Sequence, residues 1–285
     1  MAGAGRWVAA LLVVAALSTA ASAAADPDPM SYSPNWSGYV ATNPAGSDPI
    51  SYSSVTGTWT VPPATCNSKL TTSGSSTVWI GLGGYTTKYD EELGTDSDCN
   101  AQNQPIYYAW FELVPNISFK VFPTKTDKVS PGDTITGLVK SLSIRFVLLQ
   151  IHDQTAGWTF SRTIDYGQQD ITSAEWIVEA PTQCENTFNC SQANLTNFGS
   201  VTMRDVSATT TKGETGTLTD SNWRVIPIQL VPGPVLVPNL QESPEASSPA
   251  DKQTAPSPAG ASPGPPSGDG SAFTITWLPV STKGN

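Results

Sequence analysis

The sequence predicts an all-β protein, an antiparallel two-sheet β-sandwich with no substantial helix. Three observations carry that expectation. Short runs rich in Val, Ile, Thr, Tyr and Trp recur from Pro34 onward, each broken by Gly, Pro, Asn or Asp. Several alternate with period two, as in Val55/Gly57/Trp59/Val61, which sends one set of side chains to each sheet face. No stretch long enough for a stable helix carries a 3.6-residue apolar period with caps. Many strands, short connections and no helices call for a sandwich or a barrel.

The strands follow in order. Residues 36–42 and 51–61 open the series, and 76–82 follows with Trp79, Gly81 and Gly83 at alternate positions. That face, one Trp and two glycines, leaves room for something to lie across it. Residues 106–114 put Tyr108, Trp110 and Glu112 on one face, and 117–122 continues beyond Pro115. Pro131-Gly132-Asp133 introduces 134–142; then 144–153 and 158–166 flank the connection Thr155-Ala156-Gly157. Residues 174–179 read Ala-Glu-Trp-Ile-Val-Glu, with Glu175, Ile177 and Glu179 on one face and Trp176 and Val178 packing inward. Residues 200–209, 222–230 and 272–278 complete the set.

Residues 232–270 stand apart. They are dominated by Pro, Ser, Ala and Gly, and such composition buries too little surface to offset its ordering entropy. A flexible insertion is expected there, inside one domain spanning 33–285, because the few residues beyond it form one more strand and cannot form a second domain. At the other end, Arg6, a short apolar run and a small-residue stretch closing at Ala25 match a secretory signal peptide over residues 1–25, leaving 26–32 as a short N-terminal segment. The expected location is extracellular. The four cysteines, Cys66, Cys99, Cys184 and Cys190, are then two disulfides and not metal ligands. Three pairings exist; the five residues between Cys184 and Cys190 suit a small closed loop, which leaves Cys66 with Cys99.

Composition excludes several functions. The 14 Lys and Arg stand against 24 Asp and Glu, a net charge of −10 that repels phosphate backbones, so no nucleic-acid partner is expected. No later run is long and apolar enough to anchor in a bilayer, so no membrane partner is expected either. A monomer needing no cofactor is anticipated. The single histidine, His152, rules out multi-His zinc sites, and no Gly-x-Ser-x-Gly elbow supports a serine hydrolase. The acidic run of residues 90–98 has the density of a calcium loop without its spacing, and no metal is assigned to it. Carboxylates on aromatic sheet faces remain as acid–base groups, suited to a polymer such as a polypeptide or a polysaccharide.

Five segments together resemble the glutamic peptidases, or eqolisins, secreted acid endopeptidases of concanavalin-like β-sandwich fold, in their bacterial form. They are Asn35-Trp36-Ser37-Gly38-Tyr39, the Gly-rich stretch 78–84, the run 107–112, the run 174–181 and Phe198-Gly199-Ser200-Val201. The resemblance implies that Glu179 activates the attacking water, with Trp36, Trp79, Tyr108, Trp110 and Glu112 lining the substrate groove. It also implies a glutamine that steadies the oxyanion, and at that position this chain carries Glu92. An amide donates a hydrogen bond at any pH, whereas a carboxylate donates only when protonated. Glu92 and Glu179 are therefore expected to share a proton in acid, one as base and one as donor. Two alternatives stay open: a catalytically impaired homologue that binds polypeptide in the groove, and a lectin-like or carbohydrate-active sandwich.

Overall fold

The computed structural model describes residues 28–44, 46–66, 74–121, 128–186, 189–231 and 259–279. Among them every regular element is a strand. The first are β1 (Ser31–Ser33), β2 (Trp36–Thr42), β3 (Tyr52–Thr60), β4 (Thr77–Gly83), β5 (Asp90–Cys99), β6 (Pro105–Val114) and β7 (Ile117–Val121). Next come β8 (Thr134–Ser141), β9 (Phe146–Asp153), β10 (Trp158–Asp165), β11 (Ala174–Glu179), β12 (Thr182–Asn186) and β13 (Asn189–Gln192). The last are β14 (Ser200–Thr210), β15 (Thr215–Gly216), β16 (Arg224–Leu230), β17 (Gly260–Pro263) and β18 (Phe273–Leu278).

These strands form one continuous sheet in the order β10-β9-β8-β3-β14-β18-β17-β16-β2-β11-β4-β5-β6-β7, with β12 and β13 as a separate hairpin. Pairing is antiparallel throughout except where β1 runs parallel along β16. The sheet curls over on itself: Gly57 of β3 lies against Ile80 and Trp176, and Gly137 of β8 against Leu93 and Ile80. One large apolar cluster fills the space between the two halves, with Trp59, Val55, Ile135, Val139 and Leu149 from one side and Val78, Ile80, Leu93, Phe111 and Trp176 from the other. Its indoles are satisfied, Trp59 Nε1 donating to Thr95 Oγ1 (2.8 Å) and Trp176 Nε1 to the Thr56 carbonyl (2.8 Å).

The expected pair of sheets is thus a single curled sheet, and the strand that joins its halves explains the difference. β17 pairs with β16 through Leu230↔Ala261 and with β18 through residues 260–263. It comes from the stretch read as a flexible insertion through residue 270, of which residues 259–270 are described and include this strand; residues 232–258 lie outside the described ones. Gly-Ala-Ser-Pro has no strand signature, yet Ala259 and Ala261 are buried, and Ala261 is paired with Leu230 on one side and Trp277 on the other.

A second difference is β5. The acidic run that suggested a loop is a strand between β4 and β6, and every one of its residues is buried. Intrinsic preference runs against Asp, Glu and Gly in strands; here cross-strand pairing on both edges decides. Cys66 and Cys99 form a disulfide. Cys184 and Cys190 pair across the β12–β13 backbone, and their side chains, like residues 1–27, fall outside the described residues. No helix among the described residues is long and apolar enough to cross a membrane.

Candidate active site

Strand register assembles the site. Along β2-β11-β4-β5-β6, directly paired residues point the same way, and every second residue repeats that face. One row reads Trp36, Glu179, Thr77, Asp96, Tyr108; the next reads Gly38, Ile177, Trp79, Gly94, Trp110; the third reads Val40, Glu175, Gly81, Glu92, Glu112. The intervening residues Val178, Val78, Trp176 and Ile80 belong to the main core. All seven residues singled out from the sequence therefore share the face turned away from that core.

Exposure divides them. Trp36 and Trp79 are fully buried in a second, smaller apolar cluster with Val40, Ile177, Ile226 and Ile228, against which Trp110 packs. Their rings meet edge-on, with centroids 5.0 Å apart. Tyr108, Trp110 and Glu112 are only half-buried. The expected aromatic lining is thus a buried floor of two tryptophans and a more open wall from β6. The room expected over Gly81 and Gly83 is taken up by the protein itself. A Cβ at Gly81 would lie 2.9 Å from both the Trp79 ring and Asp90 Oδ1, and one at Gly83 would meet Asp170 Cβ at 2.6 Å. These glycines admit neighbouring side chains, and Gly94, whose Cβ would come within 2.7 Å of Trp79 Cβ, lets Trp79 seat.

Glu179, only 4% exposed, closes β11 at the edge of this floor. Trp79 Nε1 donates to its Oε2 (2.8 Å) and Asn35 Nδ2 to its Oε1 (3.0 Å). Burial pushes its carboxyl up to about 7. The bonds from Trp79 and Asn35 oppose that rise, the negative charge of Glu112 adds to it, and Trp36, whose indole N–H makes no regular hydrogen bond, pulls it down weakly. Asn35 was not among the residues expected from the sequence to form the site. Its one sequence signal was its place in the Asn-Trp-Ser-Gly-Tyr segment.

Glu92 faces Glu112 directly across β5 and β6. Burial pushes the Glu112 carboxyl up to about 7. Glu179 lies two strands away and four residues along, which in a regular sheet amounts to about 10 Å across and about 13 Å along the strands. The proton sharing expected between Glu92 and Glu179 is thus not what the register pairs: Glu92 has Glu112 as its cross-strand neighbour, and the charge of Glu112 bears on Glu179. The wall of the site is tied down elsewhere: Trp110 Nε1 donates to Thr77 Oγ1 (3.0 Å) and the Tyr108 hydroxyl to Asp98 Oδ2 (3.0 Å).

A second acidic set lies deeper on the same half-sheet. Glu175 is wholly buried, and neither of its oxygens makes a regular hydrogen bond, although Ser173 lies near enough to temper its pKa. Burial, then the charges of Asp170 and Glu91, drive it well above the usual carboxylate range. Glu91 Oε1 accepts from the Asp170 N–H (3.2 Å), and burial pushes Glu91 up to about 9. Among the described residues no group of three or more His, Cys, Asp or Glu side chains is arranged to hold a metal ion. His152 is far along the sheet path on β9, its Nδ1 within 2.9 Å of the Trp158 carbonyl and Thr159 Oγ1.

Residues 34–253 match the Peptidase A4 family. No curated protein sequence matches the chain. Among solved structures, the chain is similar to scytalido-glutamic peptidase bound to a peptide-based transition state analog, with TM-score 0.61 and 20% identity over 86% of this chain and 98% of that one. It is also similar to SCP-B, a member of the eqolisin family of peptidases, in complex with the tripeptide Ala-Ile-His, with TM-score 0.58, 20% identity and the same coverage.

Proposed function

The chain belongs to the Peptidase A4 family, and on that premise we propose that it is a secreted endopeptidase of the glutamic type, active in acid, that cleaves unfolded polypeptide with a Glu179-activated water. The observation that carries this reading is the Glu179 carboxylate itself. It is buried, held at both oxygens by neutral N–H donors, and pushed up by the charge of Glu112 on the same face. Family membership supports the peptidase class, and the similar structures that hold peptide ligands support polypeptide as the substrate. The curled sheet stands for the sandwich of that family, its two halves taking the place of two layers.

The chemistry follows from these groups. Ionised Glu179 takes a proton from water as the water oxygen bonds to the scissile carbonyl carbon and the carbonyl π pair moves onto oxygen. A neutral carboxyl on the opposite wall donates a hydrogen bond to that oxyanion. Glu112, whose charge bears on Glu179, and Glu92, which faces it across the strands, form the pair that supplies this donor, and one shared proton is their stable arrangement, since facing carboxylates do not both ionise cheaply. As the C–N bond breaks, protonated Glu179 returns its proton to the amine, and the carbonyl re-forms. Activity then needs Glu179 ionised and the donor pair protonated: it falls in acid as Glu179 gains a proton and falls as pH rises past about 7, where Glu112 loses its own.

Cleavage of casein or denatured globin across pH, in wild type and Glu179→Gln, tests the reading. Acid-dependent cleavage that Glu179→Gln abolishes supports it. Retention of sugars without proteolysis would place the protein among lectin-like sandwiches instead.

A further inference from the structure

Asn35 lies between β1 and β2, and its contacts make it more than a link. Its amide Nδ2 donates to Glu179 Oε1 (3.0 Å), and its carbonyl accepts from the N–H of Ala180, the next residue (2.9 Å). The far side of the amide is fixed too: Ser33 Oγ donates to Asn35 Oδ1 (3.0 Å) and accepts from the N–H groups of Asn35 (3.3 Å) and Trp36 (3.1 Å). Because Oδ1 is committed to Ser33, the NH₂ end must face Glu179.

Ser33 in turn is held by the N-terminal strap. Strand β1 runs along β16, with Ser31↔Ile228 and Ser33↔Leu230 in register, and Val231 N–H donates to the Ser33 carbonyl (3.0 Å). Upstream, Asp28 pairs with Arg224 (2.8 Å), and the Pro34 carbonyl accepts from Gln192 Nε2. The strap thus carries Ser33, the donor that fixes the Asn35 amide against a buried carboxylate. Asn35-Trp36-Ser37 reads as a glycosylation acceptor, but an asparagine 3% exposed and bonded at both ends of its amide has no room for a glycan.

We propose that Asn35, aimed by Ser33 and anchored by the strap of residues 28–34, is a positioning residue that holds the Glu179 carboxylate in its reactive orientation and ionised form. The proposal rests on Glu179 being the base. An amide donor stabilises the charged form of a carboxylate and supplies no charge of its own, so it favours ionisation without neutralising the base.

The test is the pH–rate profile of the full chain on denatured globin, for wild type, Asn35→Ala, Asn35→Asp, Ser33→Ala and Glu179→Gln. Asn35→Ala should lower kcat by roughly ten- to a hundredfold, the worth of one hydrogen bond to a charged group. KM should change little, and the acid limb should move to higher pH, since Glu179 loses a donor that favours its charge. Asn35→Asp is close in shape and guards against misfolding. Its carboxyl donates while protonated and repels once ionised, so its activity should fade at lower pH than wild type. Ser33→Ala should shift the acid limb in the same direction as Asn35→Ala by less. Wild-type limbs in Asn35→Ala and Asn35→Asp, with activity falling only as melting temperature falls, would overturn the proposal and leave Glu179 as base. Turnover by Glu179→Gln would overturn the base assignment and this proposal together.

Discussion

Glu179 and Glu175 sit four residues apart on the same strand and the same face, and both are buried, yet their surroundings are opposite. Glu179 is met by two N–H donors, one from β4 and one from the strap. Glu175 lies among Ser173, Asp170 and Glu91, and neither oxygen makes a regular hydrogen bond. Burial raises both, but the donors hold Glu179 near 7 while Glu175 is driven well above its usual value. The difference teaches what separates a working base from a structural acid inside one sheet. A buried carboxylate can ionise where neutral donors point at it, and stays protonated where its neighbours are other carboxyls.

The largest effect should fall on that contrast. Glu179→Gln should lower kcat by about a thousandfold, within the range lost with a general base, while Glu175→Gln, an isostere of the protonated acid, should leave kcat near wild type. Steady-state kinetics at the acid optimum measures both. Equal losses from the two substitutions would break the comparison, because Glu175 would then be ionising during turnover.

The second effect is on stability. Glu91, Glu112, Glu175 and Glu179 are all raised above the ordinary glutamate value of 4.5, to about 9 for Glu91 and about 7 for Glu112 and Glu179. Between 4.5 and those values the folded chain keeps protons that the unfolded chain has released. Stability is therefore fully present below 4.5 and is lost as pH rises through about 7 and on toward about 9. A melting temperature about 10 °C lower at pH 8 than at pH 4 is the expected scale for a few kcal/mol in a chain of this size. Glu175→Gln should flatten that slope, since its neutral amide has no proton to lose. A slope that rises with pH, or is unmoved by Glu175→Gln, would show that these carboxyls are already ionised in the fold.

Much of this was legible in the sequence because it depends on alternation. Period two in 107–112 placed Tyr108, Trp110 and Glu112 on one face of their strand, and in 174–179 it set Glu179 opposite Trp176 and Val178; strand pairing joins those two faces. What could not be read depends on contacts between distant segments. Residues 90–99 look like an acidic loop because strand preference is local, whereas β5 owes its existence to partners on both sides. β17 was hidden for the same reason, its small residues saying nothing of the gap they fill between β16 and β18. Asn35 drew no notice as a site residue since a bond across 144 positions leaves no mark in either segment. The pairing of Glu92 with Glu112 likewise required the register of β5 against β6.

The smallest effect sharpens the comparison most, because it asks which kind of site Glu92 occupies. In register Glu92 meets Glu112, so its surroundings resemble those of Glu175, with a carboxyl as neighbour, more than those of Glu179. Such a group should act in its protonated form, as a donor, and an amide in its place should serve equally well. Glu92→Gln should therefore keep kcat at the acid optimum within severalfold of wild type. With the facing charge gone, Glu112 no longer competes for a shared proton, and the amide still donates after neighbouring carboxyls ionise. The basic limb of the pH–rate profile should then move upward, by about one pH unit if the pair interacts at the strength typical of facing carboxyls. Loss of activity at every pH would mean that Glu92 must ionise to work, making it a second base of the Glu179 kind. An unmoved basic limb with full activity would mean that the limb does not arise from the Glu92–Glu112 pair and that Glu92 gives no titrating proton to the reaction.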